Sequence, residues 1–290
     1  MNKTENLIQK IVIASLPQFT KAISLARNIE KYLEPRGVHV QLGSLYDEDI
    51  QKRIQSQTTD LLIALGGDGT MLQAGHLCGP YGVPILGINL GRFGFLTEIK
   101  VNHWKKTISN LFTNEYWLEK RMMLQVDHLR NNNSLGKWNV LNEVVITRGQ
   151  IVKPVHLDAY VDGRYLTTYV ADGLIVATPT GSTAYALAAG GPILPPEVRN
   201  ILLVPVAPHL SVDRAIVLAE GSSVTVKVQT EHQAVISNDG HDPIEIMSED
   251  TIKVVTSKYT ALFVRFQDPG YFYRNLTPHM NRNPSTGNST

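Results

Sequence analysis

The stretch Leu61–Thr70, LLIALGGDGT, decides how this chain is read. Leu61 to Leu65 are apolar without a polar alternation, the pattern of a strand buried on both faces. Gly66, Gly67 and Gly69 follow and predict a sharp turn with room for a bulky anion to approach the main chain. Asp68 stands among them as a carboxylate at a strand end, and a helix is expected over 70–77. Phosphate donors and a base in one loop point to phosphoryl transfer, with Gly66, Gly67 and Thr70 as candidate phosphate-binding residues. The same letters also describe a helix-capping turn, because Asp and Thr both cap helices. Neither common nucleotide loop is present: there is no G-x-x-x-x-G-K-[ST], and Leu72 stands where G-x-G-x-x-G needs its third glycine.

Working outward, Ile11–Ser15 is a short apolar run, and Phe19, Ala22, Ile23, Ala26, Ile29 and Leu33 fall at helical spacing. Val38, Val40 and Leu42 alternate as in a strand, and Val83–Asn89 is a further strand closed by Gly91. The order β-α-β-β-α-β predicts an α/β N-terminal domain over 1–117 with an open, Rossmann-like sheet. In such a sheet ligands lie beyond the carboxyl ends of the strands, where the GGDGT loop sits. After Trp117 short strand signals succeed one another. Leu124, Val126 and His128 alternate, Asn131–Gly136 reads as a turn, and Asn139–Thr147 is strand-like. Val155–Tyr160 and Tyr165–Val170 flank Asp162-Gly163, a hairpin signal. Further strands are expected at 174–177, 202–207, 223–229, 234–237, 252–256 and 261–266, with a helix over 182–189. The reading is a mostly-β, sandwich-like C-terminal domain over 118–257, a segment around 258–274 free to pack back on the first domain, and a disordered polar tail over 275–290.

A formal net charge of +1 gives no electrostatic reason to bind nucleic acid or an anionic membrane. No apolar run reaches the roughly 20 residues of a membrane helix. The single cysteine, Cys78, excludes an internal disulfide framework and fits a reducing, cytoplasmic setting. The nine histidines have no paired spacing, so no resident metal site is expected.

Two further stretches carry chemistry. DGLIVATPTGSTAY, Asp172–Tyr185, runs from a strand into a hydroxyl-rich turn that offers N–H groups and hydroxyls to a polar ligand. Tyr185 either stacks on a base or packs in the core. Asn142-Glu143 interrupts the apolar run Val140–Ile146, which is costly unless one of the pair has a task, and an Asn amide suits a purine edge. In this order and spacing, GGDGT, Asn142-Glu143 and DGLIVATPTGSTAY followed by AAGGPIL resemble the NAD kinase family. So do Asn89-Leu-Gly-Arg-Phe-Gly-Phe-Leu96 and Pro205-x-x-Pro-His209. The resemblance spans about residues 60–245.

The resemblance implies transfer of a phosphate from ATP, or from polyphosphate in its place, to the 2′-hydroxyl of the adenosine ribose of NAD. Magnesium is expected with the ATP, and Asp68 as the general base on the hydroxyl. It also implies dinucleotide contacts from Gly69, from Phe93 near the adenine end, and from Asn142 and Glu143 at the adenine and ribose portion. Thr183, Ala184, Tyr185, Ala186, Leu187 and Ala188 would wrap the dinucleotide, with Ser182 as an additional contact and His241 at the nicotinamide ribose. Asp172 would lie near the nicotinamide end and reach a neighbouring subunit's site in a homodimer or homotetramer. Many relatives carry an arginine two residues before this aspartate; here the position is Val170, so any contact it makes is absent or replaced. The rival readings are another GGDG kinase, acting on a lipid or sugar phosphate, and a non-catalytic NADP-binding sensor.

Overall fold

The computed structural model describes residues 8–17, 20–91, 94–209 and 212–280. They divide into two compact units, with the boundaries at Lys120/Arg121 and Thr260/Ala261. The first unit therefore combines the N-terminal part of the chain with its last segment, and the second is the stretch between them.

In the first unit β1 (Lys10–Ser15), α1 (Thr20–Leu33), β2 (His39–Ser44), α2 (Glu48–Gln55), β3 (Leu61–Gly66), α3 (Asp68–Cys78) and β4 (Ile85–Asn89) alternate strictly. They are followed by β5 (Ile99–Lys100) and α4 (Trp104–Phe112). The strands lie parallel in the order β2-β1-β3-β4, so the sheet grows in both directions from β1. Helix α2 corrects the expected β-α-β-β-α-β order. Only Ile50 and Ile54 of its eight residues are apolar and buried, too few for a periodic signal amid charged neighbours. Every residue of β3 is buried, as its unbroken apolar run predicts. Ile29 and Leu33 of α1, Ile63 of β3, and Ile108 and Leu111 of α4 belong to one core.

The second boundary-crossing pattern lies in two long strands. β6 (Trp117–Arg130) contains the first boundary and β17 (Thr251–Arg265) the second. Between them run β7 (Asn133–Val140), β8 (Glu143–Arg148), β9 (Val155–Val161), β10 (Arg164–Ala171), β11 (Gly173–Ala177), the short α5 (Tyr185–Ala188), β12 (Ile201–Val206), β13 (Ile216–Leu218), β14 (Ser223–Gln229), β15 (Ala234–Asn238) and β16 (Ile244–Ile246). One sheet of this unit contains β10, β9, β14 and the first residues of β17. The other runs β13-β12-β11-β8-β15-β16, antiparallel throughout. Leu157, Tyr169, Val226 and Val254 of the first sheet share a core with Ile146, Val176, Leu203 and Ile236 of the second, the build of a β-sandwich. Asp162 (φ 51°) and Gly163 (φ 74°) make the β9–β10 hairpin with both central residues left-handed, as their sequence predicts.

Several expectations are corrected here. The turn after β6 is Asn131-Asn132 alone, because the polar residues from Asn133 onward form β7. The run over 139–147 is two strands, with Leu141 and Asn142 between them. The two strands expected within 252–266 are one continuous β17. Helix α6 (Tyr271–Met280) covers the first part of the tail expected to be disordered; residues 281–290 lie outside the described residues. No helix of the described residues is long and apolar enough to cross a membrane.

Candidate functional site

In the first unit the chemistry gathers where β3 passes into α3. Asp68 is the first residue of that helix, with Gly67 as its N-cap in extended conformation. The N–H groups of Thr70 and Met71 turn back to the Gly67 carbonyl. The first-turn amides of a helix lack intrahelical acceptors and form its positive end, which suits an anion. The sharp turn is there, with Gly67 alone between β3 and α3, and none of the three glycines of the loop needs a positive φ to make it. Gly66 answers a close approach instead: a Cβ there would stand 2.0 Å from Thr70 Oγ1. Gly67 and Gly69 have nothing within 4 Å of such a Cβ, leaving the main chain open. Thr70 is 1% exposed and its Oγ1 has no hydrogen-bond partner. Its side chain is packed inward, and the open surface of the loop is that of Gly67 and Gly69.

Asp68 is half-buried, and its carboxylate is clasped by a loop more than 25 residues further on. Oδ2 accepts the Phe95 N–H at 2.7 Å and Oδ1 the Leu96 N–H at 3.1 Å. Each oxygen keeps acceptor capacity after its amide is satisfied. Gly94 makes room for this clasp, since a Cβ on it would stand 2.1 Å from Asp68 Oδ1. Asn89, at the end of β4, closes the loop on itself. Its Oδ1 accepts the Gly91 N–H at 2.7 Å, and its Nδ2 donates to Thr97 Oγ1 at 2.9 Å.

Behind the loop lies a buried ionic cluster. Arg265 Nε and Nη2 donate to Glu119 Oε2 at 2.9 and 2.7 Å, and Nη1 donates to the Leu96 carbonyl at 2.9 Å. The Tyr271 hydroxyl donates to Glu119 Oε1 at 3.0 Å. Glu98 accepts the Phe266 N–H at 2.7 Å, and burial pushes its carboxyl above the usual range against the pull of Arg265. Removing one partner of such a buried pair costs about 3–5 kcal/mol, because the other charge is left stranded.

In the second unit the candidate residues meet at the start of β8. Asp239 (φ 50°) turns its carboxylate onto three consecutive amides, those of Leu141 at 2.5 Å, Asn142 at 2.8 Å and Glu143 at 2.7 Å. The Asn142 carbonyl accepts the Thr178 N–H at 2.8 Å, and Thr178 Oγ1 donates to the Leu141 carbonyl at 2.5 Å. Gly181 packs so closely that a Cβ would stand 2.2 Å from the Asn142 carbonyl oxygen. The Asn142-Glu143 turn, the hydroxyl-rich Thr178–Ser182 turn and the Asn238–His241 turn are thus one cluster. Glu143 is 7% exposed, and burial followed by the Asp239 charge raises its carboxyl to about 8. The exposed His241 holds Nδ1 2.9 Å from the Asn238 carbonyl.

The helix expected over 182–189 is broken. Gly181–Thr183 is a 3₁₀ turn, Ala184 (φ −103°, ψ −127°) interrupts it, and α5 follows. The break presents Tyr185, 45% exposed, while Ala186 is buried against Ile175, Ala177, Leu202 and Val204. Thr183, Ala184 and Leu187 are half-buried and Ala188 is exposed. Ser182 is fully buried: its hydroxyl donates to the Pro179 carbonyl at 2.6 Å and accepts the Leu194 N–H at 2.9 Å. The Ser182 hydroxyl and the Ala186 methyl are therefore committed to the protein's own hydrogen bonds and packing. Asp172 lies at the opposite end of β11 from Thr178, about 20 Å away at the ordinary strand rise. A guanidinium reaches it from Arg148, Nε to Oδ1 at 3.0 Å, where Val170 supplies none. Phe93 lies outside the described residues. Sequence reasoning missed the roles of Asp239, Arg265 and Glu119, which no local motif carries; only the bare presence of a charge in an apolar stretch marks Arg265.

An open parallel sheet with a clasped carboxylate at a helix start, interrupted by a β-sandwich unit with a hydroxyl-rich turn, defines an α/β-plus-β nucleotide-handling class. The model of the ATP-NAD kinase N-terminal domain matches residues 46–116, and that of the ATP-NAD kinase C-terminal domain matches residues 141–266. The chain is 36% identical over 276 residues to the NAD kinase of Chloroflexus aggregans, covering 95% of this chain and 100% of the relative. It is 38% identical over 260 residues to that of a Thermoanaerobacter species, covering 87% and 92%. Among solved structures, yeast NADH kinase complexed with NADH superimposes with a TM-score of 0.82 at 26% identity, over 99% of this chain and 91% of that one. An Archaeoglobus fulgidus NAD kinase in complex with ATP shares the fold, with a TM-score of 0.76 at 24% identity over 95% and 100%. The chain belongs to the NAD kinase family.

Proposed function

We propose that Asp68 is the general base of an NAD kinase reaction, taking the proton of the adenosine ribose 2′-hydroxyl as its oxygen attacks the terminal phosphorus of ATP. The new O–P bond forms as the bond to the β-phosphate oxygen breaks. ADP leaves with that electron pair, and NADP is the product. The observation that carries the reading is the Asp68 carboxylate, half-buried at a helix start and oriented by the Phe95 and Leu96 amides with acceptor capacity to spare. The family descriptions name ATP, and the yeast relative's bound NADH supports a nicotinamide dinucleotide as acceptor.

The open main chain of Gly67 and Gly69 receives donor phosphate. Asn142, Glu143, Thr183–Leu187 and His241 hold the dinucleotide, with Tyr185 against its adenine, and Ser182 keeps the turn in shape. Among the described residues no group of three or more His, Cys, Asp or Glu side chains is placed to hold a metal ion. Magnesium, bound with ATP rather than held by a resident site, would supply charge neutralisation at the transferred phosphate. Asp172 and its Arg148 partner belong to a subunit contact of a cytoplasmic homo-oligomer.

The test is purified chain with magnesium, NAD and either ATP or polyphosphate, read by an NADP-specific dehydrogenase. Asp68→Asn should keep NAD affinity within about threefold and lose about 10²–10⁴ in turnover, the usual worth of a positioned base. Undiminished NADP formation by that variant refutes the base assignment.

A further inference from the structure

We propose that the buried Arg265–Glu119–Tyr271 cluster is the positioning device for Asp68, acting through Leu96; this rests on the reading of Asp68 as the base. Leu96 is committed on both sides. Its N–H donates to Asp68 Oδ1 at 3.1 Å, and its carbonyl accepts from Arg265 Nη1 at 2.9 Å. Arg265 in turn cannot follow a drifting carbonyl. Its Nε and Nη2 are both fixed on Glu119 Oε2, and the other oxygen of Glu119 accepts the Tyr271 hydroxyl. Arg265 is 2% exposed, and Glu119 and Tyr271 are 4% exposed each, so water does not compete for these bonds. The second amide on Asp68 is braced from the same side, because the Phe95 ring lies 6.2 Å from that of Phe272.

Both groups that aim the carboxylate are therefore held by the end of β17 and the start of α6. Two of Asp68's hydrogen bonds fix its rotation, and a carboxylate turned away from the ribose oxygen abstracts no proton, however well the substrate binds. The cluster sets catalytic geometry without touching substrate.

The experiment uses the full-length chain. Arg265→Lys keeps a positive charge beside Glu119 but loses the planar fork that spans Glu119 and Leu96 together. It should lower kcat about ten- to a hundredfold and leave KM for NAD within about threefold, as misplacement of a reacting group does. In an Asp68→Asn background the same substitution should add nothing, because a device that acts through Asp68 has nothing left to aim. Leu33→Ala, in the core of the same unit, serves as the stability control: it should lower the melting midpoint with kcat per folded molecule unchanged. Should Arg265→Lys fail to fold, Tyr271→Phe carries the test, with an expected loss in kcat of about three- to tenfold from one missing hydroxyl. Wild-type kcat in these variants, or an equal fold loss in the Asp68→Asn background, overturns the proposal while leaving the base reading intact. Full turnover by Asp68→Asn removes both.

Discussion

Glu143→Gln offers a measurement in which the structure sets the sign and a ceiling on the size. Burial, and behind it the charge of Asp239, raises the Glu143 carboxyl from 4.5 to about 8. Between those values the folded chain holds a proton that the unfolded chain has released. Stability must therefore fall as pH rises through this window, by at most about 1.4 kcal/mol per pH unit. Over about 3.5 units the ceiling is about 5 kcal/mol, and the loss levels off once the folded carboxyl is itself ionised above about pH 8. Glutamine keeps the shape and cannot ionise, so this slope disappears. At pH 5 the two proteins should be about equally stable, and at pH 9 the variant should be ahead by about 2–5 kcal/mol. Urea unfolding midpoints at pH 5, 6, 7, 8 and 9 read the difference, and subtracting one protein from the other cancels the nine histidines that titrate in the same range. The variant also imitates the protonated acid that predominates at pH 7, so its NAD affinity at that pH should match wild type. Two midpoint curves that run parallel from pH 5 to 9 would refute the reasoning, as would a variant less stable at pH 9.

Two more outcomes follow from the same geometry. Asp239→Ala removes the acceptor shared by the Leu141, Asn142 and Glu143 amides. It should raise KM for NAD at least about tenfold while costing about 2–4 kcal/mol in stability, from the stranded donors; an unchanged KM in a folded variant speaks against the clasp. Gly66→Ala drives a methyl onto Thr70 and should destabilise by more than about 2 kcal/mol, whereas Gly69→Ala, which meets nothing, should be neutral or slightly stabilising in its helix yet lower turnover if that surface faces phosphate. Thermal midpoints and steady-state rates of the pair distinguish the two uses of glycine.

Much of the fold was legible because it is written locally. The unbroken apolar run of β3 announced burial on both faces, and Asp162-Gly163 announced a hairpin, since each depends on neighbours a few residues away. The failures are also physical. α2 hides its helical period behind two buried isoleucines, and β17 reads as two strands because its middle residues, Ser257 to Thr260, are polar or half-buried. The residues that bear the proposed chemistry were visible as motifs, but those that hold them in place were not. Asp239 finds its amides 96 to 98 positions away, and Arg265 finds Glu119 at 146. Nothing in local spacing ties such partners together. Thr70 and Ser182 show the converse: hydroxyls beside glycines read as ligand contacts, whereas the Thr70 side chain is packed inward and the Ser182 hydroxyl is hydrogen-bonded within the protein.

The first unit closes only with residues that come after Thr260, and this bears on how the protein is made. As the chain emerges from the ribosome, Glu119 appears early, and its arginine is delivered only after the whole intervening stretch 121–260 has been synthesised. Until then the nascent α/β layer carries a carboxylate awaiting burial and a loop without its brace. A message truncated shortly after residue 260 would thus yield a product with every sequence motif of the enzyme intact and its earliest-made domain left incomplete.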